Sequence, residues 1–206
     1  MNIKFTKEYI RSSVNTFKNN EYRISDGLEY SHIRASYMKK TKDSLSLQSR
    51  SPTFEALVNN VAEYIKNKNF CPVPDDCLAI HLRLGDFVFL KNKGEYIALL
   101  ESVKKKIDEN PSLRSIVVIT AFNFDPNYPF TYDENKLEIS IDILHAFIKG
   151  LPLPVLLQSS TPDEDFCKLA TAQHLLISFG GYAKLARRVK GALAPRSDDS
   201  SNSTIV

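Results

Sequence analysis

Cys77-Leu78-Ala79-Ile80-His81-Leu82-Arg83-Leu84-Gly85-Asp86-Phe87 is the stretch around which the chain is organised. Its first part, Cys77 to Leu82, is an apolar strand that breaks at a glycine after delivering a histidine and an arginine. Side chains two apart on a strand share a face, so His81 and Arg83 point the same way. Gly85 permits a sharp turn that a β-carbon would hinder, and Asp86 can cap the next element. In an open α/β sheet, ligands bind just beyond the carboxyl ends of the strands, where this arginine falls. A guanidinium fork suits a diphosphate there, because it donates two parallel charge-assisted hydrogen bonds. The plainer reading is an arginine paired with Asp86 in an ordinary strand-to-helix loop.

Downstream the chain alternates regularly. Glu95 to Ile107 carries Tyr96, Leu99, Leu100, Val103 and Ile107 on one helical face, and Asn110-Pro111 stops it. Ser115 to Thr120 is a continuous apolar run of the kind buried on both sides of a sheet. An aromatic-rich loop, Phe122 to Tyr132, comes next. In Glu134 to Ile148, Leu137, Ile139, Ile141 and Ile143 alternate like a strand. Over the full length Leu137, Ile141, Leu144 and Ile148 form a helical stripe, and length favours helix. Pro154 to Gln158 reads as a strand. Thr161-Pro162-Asp163-Glu164-Asp165 opens a helix with a capping threonine, proline at the first position and acids in the first turn. His174 to Ser178 is a fourth strand, and Gly180-Gly181 turns the chain into a last helix, Tyr182 to Val189. This order predicts an α/β fold: a Rossmann-like parallel sheet with helices on both faces, spanning 75–193.

Upstream, Cys71-Pro72-Val73-Pro74-Asp75-Asp76 is a proline-punctuated connector, and the domain boundary is placed there. Before it, Phe54, Leu57, Val58, Val61 and Ile65 make one stripe of a helix that Thr53 caps and that ends near Asn69. Lys7 to Phe17 is expected to be a short helix, and residues 22–51 show no sustained period. Residues 1–74 therefore read as a small, mainly helical N-terminal region. Residues 194–206, rich in serine and aspartate, read as a disordered tail.

Composition narrows the classes. With 43% hydrophobic and 25% charged residues, the chain is ordinary globular material. A net charge of +3, without basic runs interleaved with aromatics, gives nucleic-acid binding little support. Three cysteines, Cys71, Cys77 and Cys167, lack Cys-x-x-Cys spacing, which argues against a zinc site or a disulfide framework and for a reducing compartment. The polar stretch from Met1 to Lys18 is no signal peptide, and no apolar run approaches the roughly 20 residues a bilayer span needs. A soluble, cytoplasmic protein without a membrane span is the expectation.

His81-Leu82-Arg83-Leu84-Gly85-Asp86 resembles the first motif, His-x-Arg-x-Gly-Asp, of the fucosyltransferases that use GDP-fucose (the α1,2/α1,6 and protein O-fucosyltransferase group). Glu164-Asp165-Phe166, then Leu169, Ala172, His174, Leu176-Ile177 and Gly180-Gly181-Tyr182-Ala183 resemble a second segment of that group in spacing. Leu84 stands where many members carry a second arginine. Gly180 to Ala183 replace a Ser-Thr-Phe-Ser whose hydroxyls would touch donor phosphate. A glycine pair at a helix start offers backbone amides and a favourable dipole instead.

The resemblance covers about residues 75–190. It implies the donor-binding half of a GT-B type, inverting glycosyltransferase that moves a fucose-like sugar from a nucleoside diphosphate, GDP favoured, to a glycan or protein hydroxyl. Arg83, with His81 and the Gly180-Gly181 amides, would neutralise the leaving diphosphate. Arg83, Gly85, Asp165, Gly180, Gly181 and Tyr182 are the expected donor-binding residues, Asp165 serving base or ribose and Tyr182 either stacking on guanine or packing under the loop. Asp86 is a weak candidate base. No Asp-x-Asp metal motif occurs, so neither metal nor cofactor is expected. Since only some 75 residues precede the donor half, a homodimer mate or another partner could complete the acceptor site. The competing readings are a catalytically silent nucleotide-binding scaffold and an unrelated α/β enzyme.

Overall fold

In the computed structural model, residues 5–17, 52–67, 71–89, 93–124 and 131–194 are described. Their elements are α1 (Lys7–Ser13), β1 (Thr16–Phe17), α2 (Pro52–Lys66), β2 (Cys77–His81), β3 (Leu84–Gly85) and α3 (Lys93–Asp108), then β4 (Ser115–Ile119), β5 (Phe122–Asn123), α4 (Glu134–Lys149), β6 (Val155–Gln158), α5 (Pro162–Thr171), β7 (His174–Ile177) and α6 (Gly181–Leu193).

The main sheet is parallel throughout and runs β6-β4-β2-β7. Strand β2 is central and buried at every position because β4 and β7 flank it and helices cover both faces. Its alternation sorts the core. Leu78 and Ile80 face α1, α3 and α4 through Ile10, Val103, Ile141 and Leu144. Cys77 and Ala79 face α2, α5 and α6 through Val61, Ile65, Leu169 and Val189. Each fully buried large apolar side chain stabilises this sandwich by about 1.5–3 kcal/mol. The fold is the expected α/β one. Helices on either side of residue 74 pack on this same sheet.

The first strand of the sheet has its second and third neighbours on one side and its fourth on the other. The chain therefore reverses direction across the sheet between β2 and β7, and a crevice opens at their carboxyl ends. The turns after the strands, and the helices they start, supply most of its lining.

The termini of the helices agree with their sequences. Thr161 Oγ1 accepts from Glu164 N at 3.3 Å, with Pro162 in the first turn of α5, as expected. Asp133 accepts from Asn135 N and starts α4, whose buried Leu137, Ile141, Leu144 and Ile148 confirm the helical over the alternating period. Two expectations are corrected. Thr53 lies inside α2, which begins at Pro52, where proline's fixed φ suits a helical first turn. The first helix stops at Ser13 rather than reaching Phe17, because Val14 turns extended and Asn15 is pinned elsewhere. Asn15 N donates to Ser159 Oγ at 2.8 Å, and its Nδ2 donates to the carbonyls of Ser159 and Ser160.

That anchoring builds a second, small parallel sheet that the sequence does not announce, in the order β1-β5-β3. Strands β3 and β5 resume the β2–β4 ladder in the same register after two intervening residues on each strand. His81 faces Ile119 before the gap, and Leu84 faces Phe122 after it. Arg83 sits in that gap. The expectations for residues 22–51, for the chain beyond Asn67 to Phe70, for the middle of the aromatic loop and for the tail from Pro195 lie outside the described residues. Among the described residues no helix is long and apolar enough to cross a membrane.

Candidate functional site

The gap between β2 and β3 is held by its backbone. Leu82 N donates to Ile119 O at 3.1 Å, and Leu82 O accepts from Thr120 Oγ1 at 2.7 Å. Arg83 N donates to Ser178 Oγ at 2.9 Å, and Arg83 O accepts from Tyr96 Oη at 3.3 Å. Gly85 adopts φ +84°, and a β-carbon there would lie 2.2 Å from Asn123 O. Its glycine is thus required by the close approach of β3 to β5. Gly85 N donates to Ser140 Oγ at 3.0 Å, so this residue fixes the turn from behind and does not line the crevice.

Arg83 is carried into the crevice by this frame. Its guanidinium lies 3.8 Å from the centre of the Phe87 ring, and its Nη2 pairs with Asp86 Oδ2 at 2.9 Å. The Asp86 side chain is 3% exposed. The aspartate therefore orients the arginine through that oxygen and does not line the cleft, whereas a base has to reach the bound acceptor. The other edge of the guanidinium faces α6. At Gly180, with φ +104°, a β-carbon would lie 2.5 Å from Arg83 Nη1. Only glycine leaves room for the arginine to lie against the start of that helix.

Helix α6 has no side-chain cap and no acid in its first turn. The other helices begin with at least one, Glu8, Glu55, Glu95, Glu134 or Asp163. Its N-terminal partial positive charge is left for something else, on the same side as Arg83.

These groups enclose a cleft of about 110 Å³ lined by Phe17, His81, Leu82, Arg83, Thr120, Asn123, Asp165, Gly181 and Tyr182, with Ile119, Ala121 and Pro162. Four residues expected from the sequence, His81, Arg83, Asp165 and Tyr182, meet there with Gly181, and Gly180 supports them from the rim. Phe17, Thr120, Ala121 and Asn123 were not expected. Phe17 reaches the cleft through the β1–β5 pairing, for which a two-residue strand leaves no periodic signal.

His81 is 8% exposed, with Nδ1 3.3 Å from Ser178 Oγ. Burial, helped by the Arg83 charge, pushes its pKa from 6.5 down to about 3. With these neighbours it is neutral near pH 7, where the sequence suggested a second group to neutralise a diphosphate. Tyr182 donates its hydroxyl to Pro162 O, and its ring packs edge-on to Phe166 and beside His81, at centroid distances of 5.3 and 5.6 Å. Of the two arrangements expected for it, packing under the loop is the one seen. Asp165 is 5% exposed and its two oxygens lie 3.1 and 3.3 Å from Ser160 N. Burial pushes its carboxyl up to about 6 despite that hydrogen bond and the Lys168 charge.

A larger cavity, about 450 Å³, lies between α3 and α4 and is lined mostly by Ile97, Leu100, Ile139, Ile143 and Phe147. Its carboxylate, Asp142, is bridged by Lys7, and it has no arginine or helix start to receive an anion. The convergent polar and charged groups line the smaller cleft. Among the described residues no cluster of histidine, cysteine, aspartate and glutamate is arranged to hold a metal ion.

No family model, curated protein or solved structure matches the chain. The geometry of the cleft and the motif resemblance therefore carry the functional reading.

Proposed function

We propose that the cleft binds the diphosphate of a nucleotide sugar, GDP-linked by the motif resemblance, and that the chain is a glycosyltransferase. The observation that carries this reading is the convergence of Arg83 with an uncapped, acid-free helix start at the topological switch point. A guanidinium and a helix N-terminus on one side of a small cleft complement an anion with two adjacent phosphate groups. The enclosed 110 Å³ suits the diphosphate itself. It falls below the roughly 300–1,000 Å³ of pockets that enclose whole small molecules. The nucleoside and sugar therefore extend beyond it.

In transfer, an acceptor hydroxyl attacks the anomeric carbon while the bond to the diphosphate breaks. The group the protein must stabilise is the departing diphosphate, and Arg83 with the Gly180–Gly181 turn does this by fixed charge and dipole. Asp86 holds Arg83 in place before the ligand arrives.

A second reading, a nucleotide-binding module without transferase activity, is favoured by one observation. His81 is neutral, and Leu84 is buried where the related motif often has another arginine, so a single cation faces the leaving group among the described residues.

Calorimetric titration of GDP, UDP and their sugar conjugates separates these readings. The wild-type chain is expected to bind a nucleoside diphosphate, and Arg83→Ala to weaken it about 10- to 100-fold, the worth of one to two charge-assisted hydrogen bonds. Binding without release of diphosphate from any nucleotide sugar selects the silent module. A wild-type chain that binds none of these ligands overturns both.

A further inference from the structure

We propose that the cavity between α3 and α4 is a second binding site, which takes a single-chain aliphatic amine with its hydrocarbon body inside and its ammonium group at the mouth. It lies on the other face of the main sheet from the cleft and does not depend on the nucleotide-sugar reading. The inference starts from apolar side chains that the core does not use. A surface helix needs one apolar stripe. Helix α4 has two. Leu137, Ile141, Leu144 and Ile148 are buried, while Ile139, Ile143 and Ala146, spaced i, i+4 and i+7, line the cavity. This second stripe is the reason Leu137, Ile139, Ile141 and Ile143 alternate in the sequence as a strand would. Helix α3 repeats the arrangement: Leu99 and Val103 are buried, while Ile97 and Leu100 line the cavity and Ile97 stays 56% exposed.

The space between the two stripes has the size and walls of a ligand site. Its volume of about 450 Å³ falls within the roughly 300–1,000 Å³ of small-molecule pockets. An α-helix, about 10–12 Å across with its side chains, is too wide for such a volume to enclose. One end is closed where Gly150 approaches Leu100, since a β-carbon at the glycine would lie 3.1 Å from Leu100 Cδ1. Phe147 and Tyr96, both buried, form the deep side. Tyr96 is fixed there by its hydroxyl on Arg83 O at 3.3 Å and by the Phe179 ring. Such walls offer water few hydrogen bonds, so an alkyl chain gains by replacing it. The one charged group among the described lining residues is Asp142. Its side chain is 58% exposed, which places it at the mouth, and Oδ1 meets Lys7 Nζ at 2.5 Å. A carboxylate accepts more than one donor, so a ligand ammonium adds to Lys7 without displacing it. Lys7 itself does not line the cavity, so the group that meets a bound head is the carboxylate.

Calorimetric titration of n-octylamine, n-octanol and n-octanoate at pH 7 and low salt, below the concentrations at which they self-associate, tests this. The wild type should bind the amine, charged at this pH, about fivefold tighter than the alcohol, with octanoate weakest. Going from n-hexylamine to n-octylamine should tighten binding about fourfold per methylene, the worth of removing each from water. Asp142→Asn should bring the amine to the level of the alcohol and leave the alcohol unchanged. The ion pair lost with it is exposed, so the fold tolerates the change. Ile143→Trp fills the cavity, and Ala146→Phe obstructs it from an exposed position that does not crowd the core. Each should weaken the amine and the alcohol at least tenfold. Octanoate that binds as tightly as the amine, or amine binding that survives both obstructing variants, overturns the proposal. So does a wild-type chain that binds none of the three. A wild-type dimer that Ala146→Phe disperses would give the cavity to a second copy of the chain, and would overturn it as well.

Discussion

After β2 the chain is pinned by side-chain hydroxyls and neighbouring backbone on nearly every polar atom, whereas after β7 it crosses to α6 on bare glycine backbone. Thr120, Ser178, Tyr96 and Ser140 hold Leu82, Arg83 and Gly85, and Asn123 O accepts from Asp86 N at 2.7 Å. The turn after β7 has Ser178 N on His81 O at 2.9 Å, and then Gly180 without any capping side chain. On the proposed reading, the difference divides the labour of an anion site. One turn carries the charge and is fixed before a ligand arrives, so little ordering is left to oppose binding. The other keeps out of the way and presents a helix start.

Three substitutions sharpen that contrast. The largest effect is expected at Gly85→Ala, in the pinned turn. The new β-carbon would meet Asn123 backbone atoms at 2.2 to 2.9 Å in a left-handed conformation, and backbone on both sides cannot yield. Chemical denaturation should show a loss of about 3 kcal/mol or more, or no folded protein. A Gly85→Ala protein of near wild-type stability would mean that the turn is not fixed.

Gly180→Ala in the bare turn should act differently. Its β-carbon meets the far end of a flexible side chain, Arg83 Nη1, so the arginine moves rather than the fold. Stability should fall by about 1–3 kcal/mol, because φ +104° with ψ 162° is a region open essentially to glycine alone, while nucleoside diphosphate affinity falls about tenfold, or 1.4 kcal/mol. Unchanged affinity would show that the fit between guanidinium and helix start is irrelevant to the ligand. The smallest effect is at Gly191→Ala, near the other end of the same helix, where a β-carbon meets nothing within 4 Å. It should raise stability by about 0.5–1 kcal/mol and leave affinity untouched.

The elements that were legible in the sequence are those long enough to express a period. Strand β4 shows as five consecutive apolar-rich residues, and α4 resolves its ambiguity only because Leu144 and Ile148 extend the stripe past the reach of a strand. The α5 start was legible to the residue, since threonine, proline and acids each have a separate reason to be there. The two-residue strands β1, β3 and β5 were not, because two residues carry no alternation and their pairing depends on distant partners, as Thr16 pairs with Phe122.

The site divides the same way. Arg83 and the glycine pair stood out because their chemistry is unusual at the end of a strand. Phe17 did not, because its place is decided by Asn15 reaching Ser159 and Ser160, a tertiary contact. The surroundings of His81 and Asp86 were not legible for a common reason: burial and an immediate neighbour decide a titrating group's state, and neither is written in a motif.

The strand order also fixes when the cleft can come into being. Partners in the β2–β4 ladder, such as Cys77 and Ser115, are much closer in sequence than those in the β2–β7 ladder, such as Leu78 and His174, because β7 returns across the whole β4–β6 half to the far side of β2. Closing that longer separation costs more chain entropy, so the β7–α6 unit is expected to dock against a sheet already begun. The crevice lies on this seam. Opening the seam is the local unfolding event that separates Arg83 from the α6 start, and amide hydrogens of β7 and α6 would report it by their exchange. A diphosphate bound as proposed would bridge the two sides, tie this unit to the first strand and act there as a staple on the native state.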